Sequence, residues 1–217
     1  MAQIRTRVKM CGTTLLEDGL AAVRYGVDAL GFIIYSKSPR YIPPEGVRLI
    51  CQQLPPFVDR VGVLVNESVE TAVRLVDVAG FSYLQLHGSE SVDYCRELKK
   101  RLPSLKIIKA FRVGDQTSPE EFEPYENSVD GFLLDTYVKG EKGGTGEVFN
   151  WSVIAGLNLK RHIILAGGLT AENIVEAILT ADPYAVDINS GVEIRPGKKD
   201  HAGLKDVMIR IRDLTSL

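Results

Sequence analysis

Residues 7–14 read RVKMCGTT. An apolar run ends on Cys11, and a glycine and two threonines follow at once, the punctuation of a strand giving way to a helix. A helix-like segment, LLEDGLAAVRYG (15–26), comes next, and then a second β-rich run, ALGFII (29–34). This first turn bears directly on the fold. A doubly wound open sheet carries a GxGxxG fingerprint after its first strand, and CGTT is not one.

The same unit recurs along the chain. Further short apolar runs are RVGVLV (60–65), YLQLH (83–87), IIKAF (107–111), GFLLD (131–135), HIILAGG (162–168) and YAVDI (184–188). Helical patterns such as SVETAVRLVDVAG (68–80), ESVDYCRELKKRL (90–102) and TAENIVEAILTA (170–181) stand between them. Residues 21–32 and 71–86 even share a helix, a turn and a strand in the same order. Strands alternating with helices pair in parallel through right-handed crossovers. Eight such units in 217 residues predict a single α/β domain over residues 1–217, folded as a (β/α)8 barrel. No linker or shift in composition divides it.

Composition narrows the function. The chain is 45% hydrophobic and 25% charged, with a net charge of -2, so nothing drives it toward nucleic acid or an anionic membrane. No apolar run approaches the roughly 18 residues a bilayer requires. The N-terminal MAQIRTR lacks a signal-peptide core. Three cysteines without CxxC spacing argue against a disulfide framework and a zinc site, and fit a reducing cytoplasm.

Barrel chemistry gathers at the C-terminal ends of the strands. Gly167 and Gly168 follow the seventh strand, and Asn189, Ser190 and Gly191 follow the eighth. Small residues let backbone N–H groups approach an anion, and a helix start adds its positive dipole end. A lone GG is more often a turn; two such loops at the last two strand ends point to a phosphate. Cys11 and Asp135 end the first and sixth strands, on opposite sides of the mouth, where an acid and a base serve proton transfer at two different atoms. The work calls for a lowered cysteine pKa and a raised aspartate pKa, against ordinary values of about 8.5 and 3.9. Asp135 is also a plain cap in the blander reading, but a glycine- and lysine-rich stretch over residues 138–149, rather than a helix start, follows it. That stretch reads as a cover for the site. His87, the one histidine at the mouth, leaves a nucleophilic cysteine as the alternative. His162 and His201 fall elsewhere and read as structural or solvated. Arg40, held between Pro39 and Tyr41, offers a fork for a carboxylate or phosphate. Lys9 shares a strand face with Cys11. A buried ammonium needs a partner, and Asp187, on the strand that closes against the first, is the expected one.

Taken together, VKMCGTT, GFIIYSKSPRYI, LQLHGSES, LLDTYVKGEKGGTGEVFNW, ILAGGLTAENI and VDINSGVEIRPGKKD resemble phosphoribosylanthranilate isomerases, in the family order and over nearly the whole chain. The resemblance implies a TIM barrel of the ribulose-phosphate-binding type and a step of tryptophan synthesis. That step converts N-(5-phosphoribosyl)anthranilate to a 1-deoxyribulose 5-phosphate by an Amadori rearrangement, without cofactor or metal. It implies Cys11 as general base, Asp135 as general acid and Arg40 on the anthranilate carboxylate. The Gly167–Gly168 and Asn189–Gly191 loops fall on the phosphate, with His87 and Asp187 among the substrate-binding residues. The implied partner is a small phosphorylated molecule; no long exposed apolar stripe stands out in the sequence, so the chain is expected to be a monomer or a weak homodimer. Asn189 and Ser36 depart from the serine and proline common in the family. A histidine-pathway isomerase would carry aspartate where Cys11 stands. An indole-glycerol-phosphate synthase would place a lysine and a glutamate at strand ends. A non-catalytic phosphate binder would have no need of both Cys11 and Asp135.

Overall fold

The computed structural model describes residues 5–136 and 150–214. Eight parallel strands close a barrel: β1 (Arg7–Met10), β2 (Ala29–Ile33), β3 (Asp59–Leu64), β4 (Tyr83–Leu86), β5 (Lys106–Arg112), β6 (Gly131–Asp135), β7 (His162–Ala166) and β8 (Ala185–Ile188). Each pairs with the next, and β8 closes on β1 with Arg7 opposite Ala185 and Lys9 opposite Asp187. All eight coincide with the apolar runs of the sequence.

The period of two along each strand sorts side chains into two cores. Val8, Met10, Phe32, Leu84, Phe132, Leu165 and Val186 are buried in the large cluster between strands and helices. The alternate set faces the axis, where Ile108, Ala110, Leu133, Ile164, Ala166 and Ala185 form a separate apolar plug. Lys9, Gln85 and Asp187 belong to the axial set and are buried too.

Among the described residues seven helices follow the strands: α1 (Leu16–Tyr25), α2 (Pro44–Cys51), α3 (Val69–Ala79), α4 (Val92–Arg101), α5 (Ser152–Gly156), α6 (Ile174–Ala181) and α7 (His201–Leu214). Local chemistry sets their ends. The Ser68 and Ser91 hydroxyls accept from the Thr71 and Tyr94 N–H groups and cap α3 and α4. Gly26 and Gly80 stop α1 and α3 in the left-handed region, at φ 94° and 68°.

Two connections differ from the simple repeat. Between β5 and β6 there is no α-helix, only 3₁₀ turns at Pro119–Glu121 and Glu123–Tyr125. Pro119 and Pro124 rule out a continuous helix there. Phe122 and Tyr125 take the missing helix's place, packing on Phe111 at centroid distances of 4.6 and 5.4 Å. After β8, an antiparallel hairpin of β9 (Glu193–Arg195) and β10 (Lys198–Lys199) precedes α7. Among the described residues no helix is long and apolar enough to cross a membrane.

Candidate active site

The C-terminal mouth of the barrel opens into a cavity of about 660 Å³, lined from all eight strand ends. That volume suits a small phosphorylated molecule. Cys11, Arg40, His87, Asp135, Gly167, Gly168, Asp187, Asn189, Ser190 and Gly191, the residues singled out from the sequence, all line it. The expected cover over residues 138–149 lies outside the described residues.

Cys11 ends β1 on the axial face and is 5% exposed. The space beside it exists because Gly31 has no side chain. A Cβ there would lie 3.0 Å from the Cys11 Sγ and 3.0 Å from the Lys9 Cε. Gly12 follows at φ 74°, and a Cβ on it would lie 2.8 Å from both Arg40 Cδ and Asn189 Oδ1. The expectation of a lowered cysteine pKa fails. Burial pushes the thiol up, and the nearby Lys9 and Lys199 cations only partly offset it.

Below the thiol, Lys9 Nζ donates to Asp187 Oδ2 at 2.7 Å, with side-chain exposures of 5% and 7%. The pair lies where strand register and the closure of β8 on β1 put it. Burial works against the Lys9 charge, but the facing carboxylate outweighs it and holds the ammonium above the ordinary lysine range. Asp187 is thus a structural partner of Lys9. Its Oδ1 is buried without a hydrogen-bond partner among the described residues, on the wall of the cavity.

Across the mouth, Asp135 Oδ2 stands 3.7 Å from His87 Nε2. The Gln85 amide nitrogen lies 2.8 Å from His87 Nδ1 and orients the ring, so that Nε2 faces Asp135. His87 therefore belongs with the aspartate, not beside the cysteine as a nucleophile's base would.

The two glycine-rich loops meet. Gly167 and Gly168 both adopt positive φ, 99° and 60°. Gly191 packs against the Leu169 carbonyl so closely that any Cβ would overlap it. The helix dipole is less direct than the sequence suggests. α6 starts only at Ile174, and β8 runs into a single 3₁₀ turn, Ser190–Val192. Backbone N–H groups of the loops are what this corner offers an anion.

Arg40 is not a free fork. Its Nε lies 3.0 Å from both Glu193 carboxylate oxygens, and its Nη2 lies 2.7 Å from Oε2. Lys199, with a side chain 0% exposed, donates from Nζ to Glu193 Oε1 at 2.9 Å and to Asn189 Oδ1 at 3.0 Å. Asn189 is thereby turned toward Lys199, a poor posture for a specific phosphate ligand. The sequence reading passed over Glu193, Lys199, Gln85 and Gly31. The available signal was SGVEIRPGKK, where a Pro-Gly turn between charged residues marks a hairpin beside the site.

Comparisons with known proteins agree with this geometry. A family model described as N-(5'-phosphoribosyl)anthranilate (PRA) isomerase matches residues 8–209. A protein of that name from Pelobacter propionicus is 46% identical over 205 residues, 94% of either chain. The crystal structure of phosphoribosyl anthranilate isomerase from Thermotoga maritima superposes with a TM-score of 0.85 at 42% identity, covering 96% of this chain and 99% of that one. A structure of the isomerase in complex with reduced 1-(o-carboxyphenylamino)-1-deoxyribulose 5-phosphate gives 0.81 at 40% identity, covering 96% and 99%. A match over nearly the whole barrel, at this identity, means that the chain belongs to the phosphoribosylanthranilate isomerase family.

Proposed function

We propose that the chain isomerises N-(5-phosphoribosyl)anthranilate to 1-(2-carboxyphenylamino)-1-deoxyribulose 5-phosphate in tryptophan biosynthesis, acting as one domain. The observation that carries this is the placement of Cys11 and Asp135 at opposite strand ends of one cavity, with glycine-rich loops at one end of it. Asp135 donates a proton to the furanose ring oxygen. The C1–O bond breaks as the nitrogen lone pair forms the C1=N iminium. That cation acidifies the C2 hydrogen, and Cys11 takes it as base. The C2–H electrons form C1=C2 as the iminium is neutralised, and the enolamine becomes the ketone by accepting a proton at C1 while the C2 hydroxyl gives up its proton and forms C2=O. C2 is oxidised and C1 reduced, so no external electron carrier enters.

The buried thiol is a strong base once deprotonated, and Lys9 and Lys199 favour the thiolate. The Gly167–Gly168 and Asn189–Gly191 loops receive the phosphate, and Arg40 the anthranilate carboxylate. Cys11, Cys51 and Cys95 are free thiols, which suits a reducing, cytoplasmic setting. Purified protein added to freshly made phosphoribosylanthranilate, without metal, should quench the substrate's fluorescence at a rate proportional to enzyme. Decay no faster than in buffer would reject the assignment.

A further inference from the structure

Glu193 lies against Arg40 with its side chain only 3% exposed. An arginine matched to a carboxylate in this way forms a neutral pair, poorly suited to attract a second carboxylate. Lys199 changes that balance. Its ammonium reaches the same Glu193 from the hairpin's other strand, at 2.9 Å. The three groups together carry one net positive charge. Glu193 uses both oxygens on Arg40 and shares Oε1 with Lys199 and the Gly197 N–H. The Arg40 Nη1 donors are not engaged by Glu193, and Arg40 lines the cavity.

We infer that Glu193 and Lys199 are positioning residues for substrate recognition: Glu193 fixes the Arg40 guanidinium, and Lys199 neutralises Glu193 so that the positive charge of Arg40 remains available to the substrate's aromatic carboxylate. Burial holds Lys199 below the ordinary lysine range, and Glu193 opposes that drop, so each of the two keeps the other charged. The hairpin is thus a device that turns a closed ion pair into an anion-binding site. It rests on the reading of Arg40 as the carboxylate's partner.

The test compares two ligands by calorimetry: reduced 1-(o-carboxyphenylamino)-1-deoxyribulose 5-phosphate and its analogue without the carboxylate. The readout is the ratio of their dissociation constants. Wild type should prefer the carboxylated ligand, and Arg40→Met should abolish the preference. Retention of the preference in Arg40→Met overturns the reading of Arg40 itself. With that reading standing, Lys199→Met should lower the preference by about tenfold, the loss of one charge-assisted contact; because Lys199 also holds Asn189, the ratio and not either affinity alone is the readout. Lys199→Arg should keep the preference. In Glu193→Gln/Lys199→Met, where the amide oxygen can still accept from Arg40 and no buried charge is unmatched, the preference should recover above that of Lys199→Met but stay below wild type, because Arg40 is held by one acceptor in place of two. An unchanged ratio in Lys199→Met overturns the inference, as does equal weakening of both ligands or a double variant as impaired as the single one.

Discussion

Replacing Asp187 with asparagine removes the counter-charge of Lys9, and with it a carboxylate whose own burial holds its pKa above the ordinary range, so the loss worked out for Lys9 is an upper figure. The ammonium is left 5% exposed under the floor of the site. At pH 7 the cheapest escape is for Lys9 to lose its proton on folding. Bringing a lysine of ordinary pKa near 10.4 to the neutral form at pH 7 costs about 4.6 kcal/mol, at 1.36 kcal/mol per unit. That agrees with the roughly 3–5 kcal/mol seen when a buried pair loses one member. In a chain of this size it lowers Tm by about 10–18 °C. The pH dependence is the sharper part. In the variant, the unfolded state binds one more proton than the folded state, so its stability rises with pH. The cost falls to about 1.9 kcal/mol at pH 9. In the wild type, Lys9 has a raised folded pKa, so its contribution is complete below the ordinary lysine value and lost only as pH climbs through the folded one. The two proteins should converge in stability from pH 7 to pH 9. Urea unfolding can be followed through Trp151, the single tryptophan, which is 4% exposed. A deficit below about 1 kcal/mol at pH 7, or one that does not shrink at pH 9, would refute the reasoning. Lys9→Met/Asp187→Leu should recover most of the loss, since an apolar pair leaves no unmatched charge.

Other consequences can be measured separately. Gly31→Ala puts a methyl 3.0 Å from the Cys11 Sγ and 3.1 Å from the Cys11 Cα. Because Cα is backbone and cannot swing aside, the expected result is a loss of about 1–3 kcal/mol with a lower kcat. Unchanged kcat would show that Gly31 does not set the thiol's position. Cys11→Ser and Asp135→Asn should each reduce kcat by about 10²–10⁴-fold while product-analogue affinity stays near wild type; near-normal turnover in either removes that residue from its role. Burial raises the Asp130 pKa, but Lys99, the Ile107 N–H and Lys106 outweigh it and the net shift is downward. Its contribution is present above the ordinary carboxylate value and lost as pH falls through the lower folded one. Asp130→Asn should therefore flatten the acid limb of a Tm–pH profile, and an unchanged limb would argue against the pairing.

Much of the barrel was readable because its signals are local. A strand must be apolar on both faces to sit inside a barrel under helices, so all eight strands stood out as runs. The helical patterns over residues 15–26, 68–80 and 90–102 end within two residues of α1, α3 and α4, whereas the pattern over 170–181 begins four residues before α6. The β5–β6 crossover went unread as 3₁₀ because eight runs suggest eight helices, although Pro119 and Pro124 were in plain view. The site was legible where chemistry depends on position along one strand. Cys11, His87, Asp135 and the glycine loops end their strands, and in a parallel barrel all those ends face one side. Even the Lys9–Asp187 pair followed from register, which is set by the closure of β8 on β1.

Charge balance was another matter. RVKMCGTT determined by itself that a cysteine sits at a strand end with a lysine one layer beneath it, because a period of two leaves no other face. Whether that cysteine is easily ionised depends on how much water the barrel excludes and which cations stand nearby. Lys199 lies far along the chain from Cys11 and Arg40, and only the fold brings it in. The same holds for Glu193, whose grip on Arg40 joins a loop after β2 to a hairpin after β8. Local pattern places a residue on an element and a face. Desolvation and pairing are sums over everything that surrounds it, and those sums exist only once the chain has closed.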